Sequence, residues 1–528
     1  MAAGVPPDAL GRRVACGTDY GTVRYVGSVS RTAGIWLGVE WDDPQRGKHD
    51  GSYEGIQYFT CRHPKGGSFI RPNKANFGVD FLTAVKDRYG LNDQQDEQYG
   101  TVVFGRKTVE FVGMDSVAEQ QRQLNKLVDI SVRECAVSHA GQEEEISRAC
   151  ANMRHINLSK NLISSWETVT AIASQVQNLE TLNVSENKMR FPSTSTFTSS
   201  GFSNLKILAL NQTEITWTEV LLCAQGWPVL EELYLSSNNI TVLERPDNVL
   251  QTLKLLDLSD NQLLDGNQMH LIAQLPRLEQ LILRNTGISS IQFPDVAFGC
   301  KTKMFPSLKR LAINDNKISQ WSSINELDKL PSLRALQCNN NPFADTEKNP
   351  ETLIQLIIAK ISQLEVLNNC EILPAERRGA ELDYRKIFGK DWLEAGGHWN
   401  PEKNKPSEEF LAAHPRYQAL CLSKYKQSTI VFPHLWHCGS TGLSVFNFSS
   451  PWSFFHVESP STGEPVCQWA FAPVGWLHRT APFRALLPQE LRLPALETPA
   501  PVSIHSPTAA EQAVALSAVG MLSSSPTS

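Results

Sequence analysis

Between residues 127 and 345 the chain repeats itself. Leu230, Leu233, Leu235, Asn238 and Ile240 keep the spacing Leu-x-x-Leu-x-Leu-x-x-Asn-x-Leu, and the frame returns at Leu253, Leu256, Leu258, Asn261 and Leu263. It is also present from Met153 to Ile163, Leu179 to Met189, Leu205 to Ile215, Leu278 to Ile288, Leu308 to Ile318 and Leu333 to Phe343, with a degenerate copy at Leu127, Ile130, Val132 and Cys135. One copy cannot bury its own apolar positions, so each is expected to give one short parallel strand that is covered only when neighbours stack on both sides. Asn161, Asn187, Asn238, Asn261, Asn316 and Asn341 hold the same phase. They are expected to form a ladder inside the turns, bonding backbone groups that have no other partner. Thr213 and Thr286 stand in two copies and should do this less completely. Unrelated leucine-rich amphipathic helices would give no reason for an asparagine held in phase.

Copies separated by about 23 to 30 residues make this an α/β leucine-rich-repeat solenoid, with loop lengths varying on the convex side. A solenoid exposes its last layer unless something covers it. Leu364-Glu365-Val366-Leu367-Asn368, Ile372, Ala375-Glu376-Arg377-Arg378 and Tyr384 resemble the C-terminal cap of such arrays, reached through an apolar helical stripe from Leu353 to Ile361. The cap is placed at residues 346–390. Because strand side chains alternate, the residues between the buried leucines should face the concave side. Glu232, Tyr234, Asp257, Gln280, Arg284, Arg310 and Gln337 are the candidate contacts there for a folded protein. Tyr and Arg are the residue types most often found at binding hot spots.

The first 90 residues read as a small all-β module. Ile35, Leu37 and Val39 alternate as in a strand with one buried face. Gly47-Lys48-His49-Asp50-Gly51 then forms a loop bracketed by two glycines, where the backbone can turn or approach a ligand without a Cβ in the way. Trp36, Tyr58, Phe59 and Phe69 lie nearby in sequence, and Gly66-Gly67-Ser68-Phe69-Ile70-Arg71-Pro72 closes the segment. An exposed lysine among aromatics suits an extended peptide ending in acidic and aromatic residues. Lys48 would meet carboxylates, while the loop amides and His49 would bond the terminal carboxylate. An ordinary glycine turn over an aromatic core would share much of this pattern. From about Leu10 to Gly78, however, the segment resembles a CAP-Gly domain, whose usual signature is Gly-Lys-Asn-Asp-Gly. The resemblance implies a groove for the acidic tails of α-tubulin and similar peptides, with Trp36, Gly47, Lys48, His49, Asp50, Gly51, Phe59, Phe69 and Arg71 as its candidate residues. His49 replaces the usual asparagine, which makes that contact an imidazole one and open to pH.

Between these regions, residues 91–126 read as a linker with a hairpin (Gly100 to Gly105 with Val109 to Val112) and a Gln- and Glu-rich helix from Ser116 to Lys126. Residues 391–422 read as a linker of mixed charge and a helix stopped by Pro415. Residues 423–528 are poor in charge and rich in Pro, Ser, Trp and Phe, and are expected to be unstructured. A net charge of -6 over 528 residues argues against a general nucleic-acid binder. Eleven cysteines without a Cys-x-x-Cys pair signal no metal site and no disulfide framework. Met1 to Asp8 is too polar for a signal peptide, and no apolar run approaches the roughly 18 residues of a membrane span. No phosphate-binding Gly-x-x-x-x-Gly-Lys-Ser/Thr loop occurs. His155 with Cys150, or Asp257 with Asp260, are the pairs a catalytic reading would invoke. Each falls on or beside the repeat template, so neither an enzyme nor a bound cofactor is expected.

The order of glycine-rich module, leucine-rich array and cap resembles the cofactor E family of tubulin-folding proteins. That resemblance implies a chaperone that binds the tail and the folded body of α-tubulin, and that works with other tubulin-folding cofactors to assemble or dissociate the α/β heterodimer. It places the protein in the cytoplasm, associated with the cytoskeleton. The family normally ends in a ubiquitin-like domain, whose alternating strands and charged helix are not found after Ser423. A microtubule-associated adaptor that binds acidic tails without chaperone activity is the other reading.

Overall fold

The computed structural model describes residues 5–89, 101–104, 107–110, 123–193, 200–263, 265–400 and 402–422. All of them belong to one compact unit, Met1–Ile430. The tail expected to be unstructured, 423–528, lies outside the described residues.

The chain begins with a four-stranded antiparallel sheet in the order Arg13–Cys16, Asp19–Ser28, Ile35–Trp41, Gly67–Ile70. Register places Val23 opposite Val39 and Leu37 opposite Ile70. The inward side chains Val14, Val23, Leu37, Val39 and Trp41 form its core. The strand Val79–Asp80 then pairs in parallel with Val137–His139, and Asp80 caps the helix Phe81–Arg88 by accepting a hydrogen bond from the Thr83 amide at 2.8 Å. That helix buries Phe81, Leu82, Ala84 and Val85 in the solenoid core. A domain boundary at residue 90 therefore falls two elements late, because the strand and helix of 79–89 pack on the first layer of the array. Thr101–Phe104 and Lys107–Glu110 form an antiparallel pair. Of the helix expected over 116–126, residues 116–122 lie outside the described residues, and Leu124–Lys126 is a single 3-10 turn.

The array is an eleven-stranded sheet in chain order except for the crossing strand Val137–His139, with parallel pairing up to Val366–Leu367 and an antiparallel last strand, Cys370–Glu371. Its central positions stay in line from strand to strand: Ile130, Ile156, Leu182, Leu208, Leu233, Leu256, Leu281, Leu311, Leu336 and Leu367. All are buried. The asparagines do what their phase implies. Asn261 Nδ2 donates to the carbonyls of Leu235, Leu258 and Ser259 at 2.9, 3.0 and 3.1 Å, while its Oδ1 accepts from the amides of Asn238 and Ile240. Thr286 replaces this with a hydroxyl that reaches Leu283 O at 3.2 Å and Asn316 Oδ1 at 3.0 Å.

Past the last strand, the helix Pro374–Ile387 packs on the helix Pro350–Lys360. The helix expected ahead of Pro415 is Glu408–Ala413, but the stretch 391–422 around it is not a linker. Trp392, Phe410, Tyr417, Leu420 and Cys421 join Leu356, Ala359 and Tyr384 in a second buried cluster. Lys360 fastens it: its Nζ donates to Asn325 Oδ1 and to Ala413 O, both at 2.9 Å, and burial pulls its pKa down to about 8.

Candidate peptide groove and concave face

The signature loop is built by close backbone packing. A Cβ at Gly47 would run into the Lys65 carbonyl, and one at Gly51 (φ +103) into that of Phe59. The Lys48 amide donates to Gly67 O at 2.7 Å, which anchors the loop to the last strand of the sheet and leaves the Lys48 side chain exposed. Asp50 serves the loop itself: its Oδ1 accepts from the Ser52 amide at 3.0 Å and the Ser52 hydroxyl at 2.5 Å. These bonds hold its carboxyl below the usual range.

His49 Nδ1 accepts a hydrogen bond from the Gly51 amide at 3.0 Å. An acceptor at Nδ1 requires the neutral ring with its proton on Nε2. Burial lowers the pKa of His49, Lys48 lowers it further and Asp50 opposes both, so the neutral form is favoured. Phe69 is the hub of the surrounding rings, with centroids 5.0 Å from His49, 5.4 Å from Tyr58, 5.5 Å from Phe59 and 6.4 Å from Tyr53. Phe59 is only 7% exposed and forms the floor rather than a wall. Trp36 and Arg71 make a second pair. The guanidinium sits 3.8 Å from the Trp36 ring centroid and donates to Ala33 O at 2.7 Å, and Trp36 Nε1 donates to Thr32 Oγ1 at 2.8 Å. Sequence reasoning missed Tyr25, whose ring lies 5.2 Å from Tyr58, and the exposed Tyr53 and Ile56. A register shift between Val23 and Tyr25 hid the latter, since strict alternation would put it on the inward face with Val23. Next to the groove lies an open cavity of about 450 Å³ lined by Arg24, Glu40, Phe59, Thr60, Cys61 and Arg62.

On the solenoid, Glu232, Tyr234, Asp257, Gln280 and Gln337 are half-buried on their strands, while Arg284 and Arg310 are exposed. Several are already engaged. The Tyr234 hydroxyl donates to Glu232 at 2.7 Å, and burial together with that carboxylate raises its pKa. Asp257 accepts from the amide and hydroxyl of Ser259 at 2.9 and 2.6 Å. Arg284 reaches across the intervening strand to donate to Gln337 Oε1 at 2.7 Å. Apolar residues were missed: Ile207, Leu255 and Ile282 alternate with the polar ones in the same cross-strand rows. The same period-2 pattern that marked the polar residues would have included them.

The glycine-rich module is seated on the early repeats. Lys188 Nζ lies 3.0 Å from Glu214 and 3.7 Å from Asp42, and Arg62 donates to Glu214 at 2.7 Å. A cavity of about 430 Å³ opens between them, lined by Tyr20, Trp41, Asp42 and Arg46 on one side and Lys160, Glu186, Lys188 and Gln212 on the other.

The model of the CAP-Gly domain matches residues 10–75. Tubulin-specific chaperone E of Bos taurus is 62% identical over 417 residues, covering 79% of this chain and 79% of that protein, and the Homo sapiens protein matches equally. This chain belongs to the tubulin-specific chaperone E family. The Drosophila melanogaster member is 34% identical over 429 residues, again 79% of each. These relatives are named as chaperones. Cys150 is buried, which pushes its thiol up to about 11, and Asp257 is tied to Ser259.

Proposed function

We propose that this member of the chaperone E family is a tubulin-folding cofactor that holds the acidic tail of α-tubulin in the groove around Lys48 and its folded body against the concave face. Acting with the other tubulin-folding cofactors in the cytoplasm and at the cytoskeleton, it takes part in assembly and dissociation of the α/β heterodimer. The observation that carries this reading is the groove. An exposed Lys48 and a donor-poised His49 stand beside aromatic rings centred on Phe69, in a segment (10–75) with ten Lys and Arg against six Asp and Glu, while the whole chain is net -6. Opposite charge draws an acidic peptide there, and the rings suit its aromatic end. Among the described residues no helix is long and apolar enough to cross a membrane.

Heterodimer dissociation needs no nucleotide site on this chain. A protein that binds one state of tubulin more tightly than another shifts the balance by that difference alone. Calorimetry with an α-tubulin tail peptide tests the groove. Lys48→Ala should weaken binding by about 1 kcal/mol, the scale of an exposed charge pair, and added salt should weaken it further. Equal affinity of variant and parent would remove the loop from the site. The double change Tyr234→Ala, Arg284→Glu tests the concave face against tail-less α-tubulin, where unchanged binding would exclude it. Heterodimer dissociation with purified proteins separates a chaperone from an adaptor, which would bind without releasing β-tubulin.

A further inference from the structure

The glycine-rich module does not hang from the solenoid on a free linker. Phe77 packs on the module's own core, and Val79, two residues later, is already paired with Val137 of the array. Gly78 between them (φ +86) lies so close to Ala136 that a Cβ would strike its carbonyl. The next helix, Phe81–Arg88, is the first buried layer of the solenoid. The connection therefore has no slack.

A second tie comes from residues far apart in sequence. Arg13, Asp42, Lys188, Glu214 and Arg62 alternate in sign across the boundary, and each of these charges has opposite ones as its ion-pair partners. One exposed ion pair contributes little, but a connected chain laid beside a covalent anchor restricts orientation. Its last member, Arg62, also lines the cavity that opens beside Phe59, so the tie reaches the rim of the groove. Lys160, Glu186, Lys188 and Gln212 of the early repeats face the module across this seat, and the concave residues considered above all lie beyond it, from Glu232 onward.

We infer that the groove and the concave face form one rigid two-part surface, held at fixed separation by the Val79–Val137 pairing and the Arg13–Asp42–Lys188–Glu214–Arg62 chain, which selects a partner carrying an acidic, aromatic-ended tail on a folded body over either part alone. This rests on the reading of those two surfaces as binding sites. A rigid link gives its full gain in effective concentration only to a partner whose two epitopes match the spacing, whereas a loose link accepts many spacings at a smaller gain.

The test uses the full-length chain with donor and acceptor dyes on clickable residues at Leu10 and Val242, which are 67% and 62% exposed. The parent is compared with Lys188→Glu, which sets a carboxylate against Asp42 and Glu214, and with a variant carrying a flexible Gly/Ser insertion between Phe77 and Gly78. The parent should give a narrow distance distribution and the insertion variant a broad one, with Lys188→Glu between them. Intact α-tubulin should bind the insertion variant roughly tenfold more weakly, while a tail peptide and tail-less α-tubulin bind all three proteins equally. A distribution as broad in the parent as in the insertion variant, or equal affinity of all three for intact α-tubulin, overturns the rigid surface. Should the parent bind neither the peptide nor tail-less α-tubulin, the proposed function fails instead, and the dye distances alone then decide whether the seat is rigid.

Discussion

The module at the N-terminus closes its core with Val14, Val23, Leu37, Val39 and Trp41, whereas the solenoid's single cluster runs from Phe81 to Ala380. In the module, much of the close packing is backbone against backbone at glycines. Phe69, Tyr58 and Tyr53 are thus left half-buried or exposed around one loop. In the solenoid each layer repeats the last, large apolar side chains lie inside, and Tyr234 bonds Glu232 as Arg284 bonds Gln337 on the strand surface. A substitution in the first region should be read at a ligand, and one in the second as stability shared over several layers.

The largest effect that would sharpen this contrast is Leu256→Ala. Leu256 is fully buried between Leu233 and Leu281, and its truncation should cost about 2 to 5 kcal/mol in denaturant or thermal unfolding and loosen adjacent layers. Affinity for the tail peptide should stay at the parent value while the chain remains folded. A matching loss of peptide affinity would show that the two regions do not behave separately.

A smaller effect probes the turns. Asn261→Ala strands the Leu258 carbonyl and the amides of Asn238 and Ile240 at a cost of about 1 to 3 kcal/mol, whereas Thr286→Val removes only a hydroxyl and should lie at or below the lower end of that range. If the two cost the same in unfolding experiments, the amide is not what holds the turns.

The smallest effect belongs to the module and depends on pH. The folded pKa of His49 lies below its ordinary 6.5, so above that value the group adds nothing to the pH dependence of stability. As pH falls below about 6.5 the unfolded chain takes up the proton first, and stability is lost. Protonation also sets an N–H against the Gly51 amide. Unfolding of parent and His49→Asn at pH 5.5 and 7.5 should show a narrower gap in the variant, and an NMR titration should place the imidazole midpoint under 6.5. A midpoint above 6.5 would mean that Asp50 outweighs burial.

The same contrast explains what could be read from the sequence. Strand positions in the solenoid were legible because an asparagine fixes phase in each clear copy, or a threonine in its place, and one phase fixes every alternating residue. The loop from Gly47 to Gly51 was legible because glycine, lysine and aromatics occur in order within a short span. The helix Phe81–Arg88 was not recognised as part of the array, since it carries no copy of the repeat and its apolar side chains find their partners only after stacking. Residues 391–422 misled for a similar reason: Trp392, Phe410 and Tyr417 are irregularly spaced among charges and prolines, and their burial exists only in three dimensions. The pairing of Arg62 with Glu214 has no local signature at all, because the two are 152 residues apart.

The helix Phe81–Arg88 also decides how this chain tolerates being cut. A fragment that starts at residue 91 would lose Phe81, Leu82, Ala84 and Val85, and with them the helix that packs on Val137–His139 and Glu145–Ala149. Two such fragments would offer each other matching greasy ends, so the half without its lid should self-associate. A cut between Asn76 and Val79 leaves the lid with the repeats, and that is where nicking should yield two pieces that stay in solution.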